Sequence, residues 1–146
     1  MEAPSVPTVP RILLAVDQTG SSNGAADEAI RHAREAGADL VVLSVVESGN
    51  LRLPGGRIRR VDQERDRLAI GAQAIVMRAR ESGVHATYLI WEGDPAESIL
   101  EASLSEGANI IMLGSRPRTN LRRLIGGSVS AEVAKRATCE VIVVPN

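Results

Sequence analysis

Short apolar runs alternate along the chain with longer stretches in which apolar residues recur at helical spacing. Five runs, at residues 12–16, 40–46, 86–91, 110–113 and 141–144, are rich in Val, Ile and Leu and have strand length. The first, fourth and fifth are almost unbroken apolar, as expected when both faces of a strand are covered. Four helical stripes lie between them. Ala26, Ala29, Ile30 and Ala33 form the first, closed by Gly37. Val61, Leu68, Ala72, Ile75, Val76 and Ala79 form the second, closed by Gly83. Ala96, Ile99, Leu100 and Ser103 form the third, closed by Gly107, and Val129, Val133, Ala134 and Ala137 form the fourth. Asp94-Pro95-Ala96-Glu97 supplies an N-cap acid, a first-turn proline and a glutamate placed to reach back. The closing glycines suit a left-handed terminating residue. Residues 49–60 read as a surface loop. The order β-α-β-loop-α-β-α-β-α-β predicts an α/β fold: a single open parallel sheet with helices on both faces.

Composition narrows the class. The chain has 146 residues, enough for one domain, with 44% hydrophobic and 24% charged residues. Its 17 basic and 18 acidic residues leave a net charge of −1, which excludes a whole-surface attraction to nucleic acid or anionic membrane. The apolar runs are too short to span a bilayer. Residues 1–10 are Pro-rich, with Glu2 their only charge, and lack the basic start and apolar centre of a secretory signal. The expectation is a cytoplasmic protein with a flexible segment at 1–10 and one folded domain at 11–146, inserted in no membrane. Cys139 is the only cysteine, so an intrachain disulfide and a cysteine metal cluster are excluded, and no tightly bound metal is expected. With no Phe, one Tyr (Tyr88) and one Trp (Trp91), the core must be aliphatic. Lys135 is the only lysine.

In an open parallel sheet, ligands sit beyond the carboxyl ends of the strands where the strand order reverses. Strand one ends in Asp17, followed by a polar loop. Strand four ends in Gly114-Ser115, and Gly126-Gly127-Ser128-Val129-Ser130 opens the last helix. Glycines and hydroxyls at a helix start offer backbone N–H groups and dipole charge to a phosphate. Arg116, Arg118, Arg122 and Arg123 lie in the same stretch, with no acid between Gly107 and Ala131. The same residues also read as a simple turn, a helix cap and a solvated loop face, and on residues alone both readings stand. Gly20-Ser21-Ser22-Asn23-Gly24 has the outline of a nucleophile elbow, yet the strand ends before it. No histidine follows His32 and His85 to complete a triad, so Ser22 or Asn23 is better read as a helix cap. The arginines at 52, 57, 59 and 60 have no interleaved aromatics, which leaves stacking on nucleic acid unsupported. Cys139 reads as a small core filler, His32 as a surface residue and His85 as structural.

Several stretches together resemble the universal stress protein (UspA-like) family, nearly end to end from Arg11 to Pro145. They are Ile12-Leu13-Leu14-Ala15-Val16-Asp17, Gly93-Asp94-Pro95-Ala96-Glu97, Leu113-Gly114-Ser115-Arg116, Leu124-Ile125-Gly126-Gly127-Ser128-Val129-Ser130 and Cys139-Glu140-Val141-Ile142-Val143-Val144-Pro145. The nucleotide-binding branch spaces Gly, two residues, Gly, nine residues, then Gly-Ser or Gly-Thr. Gly114, position 117 and Gly127-Ser128 fit that spacing, but position 117 is Pro. Proline has no N–H and a fixed φ, so one phosphate donor of the motif is removed. The resemblance implies strand order 3-2-1-4-5 and an adenine-nucleotide site. It places Ala15, Val16 and Asp17 at the end of strand one, with Asp17 on the ribose side, and a backbone contact to adenine at Val45. Leu113, Gly114, Arg116, Gly127, Ser128, Val129 and Ser130 are placed around the phosphates. It further implies ATP as ligand, Asp17 as a place where Mg²⁺ and water could be held, a homodimer through the C-terminal strand, and slow ATP hydrolysis as the most chemistry expected. A cyclic AMP binder and a nucleotide-independent dimeric scaffold are the alternatives.

Overall fold

The computed structural model describes residues 9–16, 23–47, 57–114 and 123–145. Its elements run β1 (Arg11–Val16), α1 (Asn23–Ala36), β2 (Asp39–Val46), α2 (Arg57–Glu81), β3 (Ala86–Glu92), α3 (Pro95–Ser105), β4 (Ile110–Gly114), α4 (Arg123–Arg136) and β5 (Glu140–Val144). All five strands are parallel and lie in the order β3-β2-β1-β4-β5, the order implied by the family resemblance. The alternation of side chains along each strand divides the core into two layers. Ile12 and Leu14 of β1, Leu40 and Val42 of β2 and Met112 of β4 pack with α1 and α2. Leu13, Val41, Leu43, Ile111 and Leu113 pack on the opposite face with α3 and with Val133 of α4.

Helix boundaries follow local chemistry. Asp94 caps α3, its carboxylate accepting the Glu97 N–H at 2.9 Å, with Pro95 as the first helical residue. Glu97 does not reach back, because Arg136 at the end of α4 holds its carboxylate at 2.8 Å. The glycines that close α1, α2 and α3 all take positive φ, between 65° and 87°.

Three details differ from the sequence expectation. Residues 57–60 belong to α2 and not to a loop: Ile58 and Val61 continue the helical spacing back from Leu68, and arginine is a good helix former. Ala134 is exposed, because the buried line of α4 runs Val129, Val133 and then Ala137 in steps of four. β5, apolar as it is, is a half-exposed edge strand, with Val143 38% exposed.

The Arg136 guanidinium also bonds Glu132 at 2.8 Å, so it joins α3 and α4 through two carboxylates. Its hydrogen bond holds the Glu97 carboxyl below its ordinary value. A carboxyl depressed in the folded state stabilises above its unfolded pKa and loses that contribution as pH falls through the folded value. Stability is therefore expected to drop as pH falls below about 4.5, where the unfolded carboxyl titrates. Glu97→Gln should flatten that part of the acid limb by a small amount, as befits an exposed pair. Urea unfolding of both proteins across the acid range measures it; identical limbs would remove Glu97 from the account.

Candidate functional site

From β1 the chain winds through β2 to β3 with α1 and α2 on one face, then returns through α3 to β4 and continues to β5 with α3 and α4 on the other. The strand order therefore reverses between β1 and β4. Diverging connections leave a crevice at the carboxyl ends of such a strand pair. Ala15 and Leu113 are register partners there, and Val16 and Gly114 are the next residues on each strand. On the other side of β1, Val16 pairs with Ser44, which places Val45 one step further along, opposite Trp91 of β3. Ala15, Val16, Val45, Leu113 and Gly114 are thus brought together by the sheet. Leu113 is buried in the α3/α4 layer, and Ala15 and Val45 are half-buried against the same layer. Asp17 and Arg116 lie outside the described residues, as do Pro117 and Ser22 of the sequence reading.

α4 joins the carboxyl end of β4 to the start of β5, so its N-terminus lies at the same edge of the sheet. It starts at Arg123, ahead of the Gly-Gly-Ser run expected to open it. Arg123, Leu124 and Ile125 are adequate helix formers, and they carry the helix back past a glycine pair that costs about 1 kcal/mol per residue against alanine. Only the first four amides of a helix are free, so Gly127, Ser128, Val129 and Ser130 fall one turn beyond the donor-rich end. Val129 packs on the α3/α4 layer and Ser130 is half-buried. Cys139 is half-buried in that layer, and burial pushes its thiol up, which suits a core filler. Among the described residues no group of three or more His, Cys, Asp or Glu is arranged to hold a metal ion, and no helix is long and apolar enough to cross a membrane.

The sequence profile described as the universal stress protein family matches residues 8–145. The chain belongs to the universal stress protein family. It is 31% identical over 145 residues to universal stress protein YxiE of Bacillus subtilis (strain 168), covering 92% of this chain and 97% of that one. Among solved structures it resembles universal stress protein UspA from Lactobacillus plantarum, with a TM-score of 0.79, 24% identity and coverage of 95% and 99%. A universal stress protein crystallised in complex with cAMP matches with a TM-score of 0.66 and 23% identity, over 95% of this chain and 98% of that one.

In this member of the family one buried residue beside β1 went unread in the sequence. Ser44 is 1% exposed, and its hydroxyl has no hydrogen-bond partner among the described residues. It stands in register between Val16 and Ile90. The only trace of it in sequence is a single hydroxyl in the otherwise apolar run 40–46. A buried polar group left without a partner costs about 1–3 kcal/mol, whereas an apolar replacement of similar shape costs nothing of that kind. Ser44→Ala is therefore expected to stabilise the ligand-free chain by about 1 kcal/mol. Urea midpoints compare the two; a lower midpoint for the variant would show that the hydroxyl is satisfied in solution.

Proposed function

We propose that the chain binds an adenine nucleotide, ATP, at the strand-order reversal between β1 and β4, and acts as a nucleotide-responsive regulator in the stress response. The observation that carries this reading is the register that gathers Ala15, Val16, Val45, Leu113 and Gly114 at one edge of the sheet, below the N-terminus of α4. Asp17 follows Val16 directly and supplies a carboxylate for ribose hydroxyls or for a Mg²⁺ ion accompanying the phosphates. The backbone at Val45 faces the adenine. Arg116 and the free amides at the start of α4 take the phosphates, with Gly127 and Ser128 on the following turn. Ala15, Val16, Val45 and Leu113 bring aliphatic side chains to this edge, which supports binding over catalysis, with slow ATP hydrolysis as the upper limit. The cAMP complex of a relative with this fold supports an adenine nucleotide and keeps cyclic AMP as the second reading. The cytoplasm is the compartment this reading implies.

Mass spectrometry of the gently purified protein should find co-purified nucleotide, and calorimetry with ATP and with cyclic AMP ranks the two. Asp17→Ala should weaken binding by roughly tenfold without unfolding the chain, in line with the loss of one hydrogen bond to a charged group. Gly127→Val should abolish binding by filling the space against the phosphates. Pro117→Gly should tighten it by roughly tenfold by restoring one N–H donor. Unchanged affinity in all three variants would move the site elsewhere, and absence of binding by the parent would favour a nucleotide-independent scaffold.

A homodimer through β5 belongs to the same reading. β5 is an apolar edge strand whose Val143 is exposed and whose Val141, Ile142 and Val144 are only half-buried. Such an edge invites antiparallel pairing with its own copy across a two-fold axis. Light scattering should return twice the 15.5 kDa chain mass for the parent and a lower mass for Val141→Lys with Val143→Lys. A monomeric parent at micromolar concentration would end the idea.

A further inference from the structure

The sheet has a second edge, and its strand is the more hazardous of the two. β3 reads Ala-Thr-Tyr-Leu-Ile-Trp-Glu, a run of strongly β-forming residues whose only charge is the terminal Glu92 and which contains no Pro or Gly. Tyr88, Leu89, Ile90 and Trp91 are all half-buried. An edge of this composition is a template for a strand from another copy.

Which backbone groups it would offer follows from the ladder. The Leu40 N–H donates to the His85 carbonyl, and the Gly93 N–H donates to the Val46 carbonyl, each at 2.9 Å. Odd-numbered positions of this strand therefore face β2. The alternate residues, Ala86, Tyr88, Ile90 and Glu92, turn their N–H and C=O groups to the free edge. Two of those four carbonyls are occupied by arginines of α2. Arg80 forks on the Ala86 carbonyl, Nε at 3.1 Å and Nη2 at 2.9 Å. Arg65 donates from Nη1 to the Ile90 carbonyl at 3.4 Å, and its Nη2 is held 3.3 Å from Oε1 of Glu92. α2 runs antiparallel to β3, so Arg80 caps the beginning of the strand and Arg65 its end. Neither arginine has a counterpart on β5 among the described residues.

The geometry points to Arg65 and Arg80 as guards of the β3 edge, which occupy the Ala86 and Ile90 carbonyls, two of its outward acceptors, with guanidinium groups and so confine strand pairing between copies to β5. A strand from a second copy must displace both side chains and then meet two cations stripped of their acceptors. This rests on the β5 pairing proposed above: with β3 guarded and β5 open, pairing stops at a closed assembly instead of continuing from edge to edge. Nothing in this depends on whether the chain binds a nucleotide.

The test uses the full chain with Arg65→Ala and Arg80→Ala together. The weight-average mass by light scattering should rise with concentration to at least about twice the parent value, as an unguarded edge recruits other copies. Hydrogen exchange should slow in the peptide that spans β3, since Tyr88 and Ile90 amides become bonded. Arg65→Lys with Arg80→Lys, which keeps a cationic donor at each place, should stay at the parent mass. A double alanine variant that retains its circular dichroism and the parent mass overturns the proposal, and so does growth without added protection of β3. If the double variant loses its folded spectrum, Arg65→Ala alone decides: it uncaps the Ile90 carbonyl near the end of the strand and must show the same growth and protection for the proposal to stand.

Discussion

The register of β1 between β2 and β4 is the constraint on which every other feature rests. Ile12, Leu13 and Leu14 are at most 1% exposed, and their side chains enter both core layers in turn. Burying each contributes about 1.5–3 kcal/mol relative to exposure. A one-residue slip of this strand would exchange the two layers, so the register is strongly specified. It is also what sets Ala15 beside Leu113 and Val16 beside Ser44, and hence what composes the crevice. At the other end of the strand Arg11 serves the same end. Its N–H bonds the Asn109 side chain at 2.7 Å, and its guanidinium bonds the Glu106 carbonyl at 3.0 Å and lies 3.5 Å from Asp39.

The helices then divide two tasks. One side of each buries apolar surface, and the polar remainder ties elements together across the surface. On α2, Leu68, Ala72, Ile75, Val76 and Ala79 pack on the sheet, while Arg78 pairs with Asp27 of α1 and Arg65 and Arg80 reach the edge strand. On α4, Val133 is fully buried and Arg136 engages α3. Exposed ion pairs of this kind contribute little energy singly. Their value here lies in placement: a guanidinium on a free carbonyl changes what a strand can pair with, even where it changes stability little. The two edges of the sheet are therefore unequal although both strands are apolar, and a nucleotide at the crevice between β1 and β4 would sit midway between them.

Periodicity alone determined a great deal. The five strands could be placed within one or two residues, because each is a short run rich in Val, Ile and Leu set between stretches of helical spacing. The ends of α1, α2 and α3 could be placed because glycine with positive φ terminates them, and Asp94-Pro95 announces the start of α3. The candidate crevice was legible to the extent that chemistry is concentrated at strand ends, at Asp17 and Gly114. What the tertiary structure decided is of a different kind. Whether β5 was covered or free could not be read from an apolar run that fits both cases, and Ala134 could not be told from its neighbours until the packed line of α4 was known. Ser44 became significant only when burial left its hydroxyl without a partner among the described residues. Nothing in the sequence singled out Arg65 and Arg80; they acquire a role because α2 runs antiparallel along β3 and brings Arg65 onto the Ile90 carbonyl and Arg80 onto the Ala86 carbonyl, which no strand claims. Local pattern specifies elements through propensity and period; which groups are left without a partner depends on what folds against them, and only the assembled sheet fixes that.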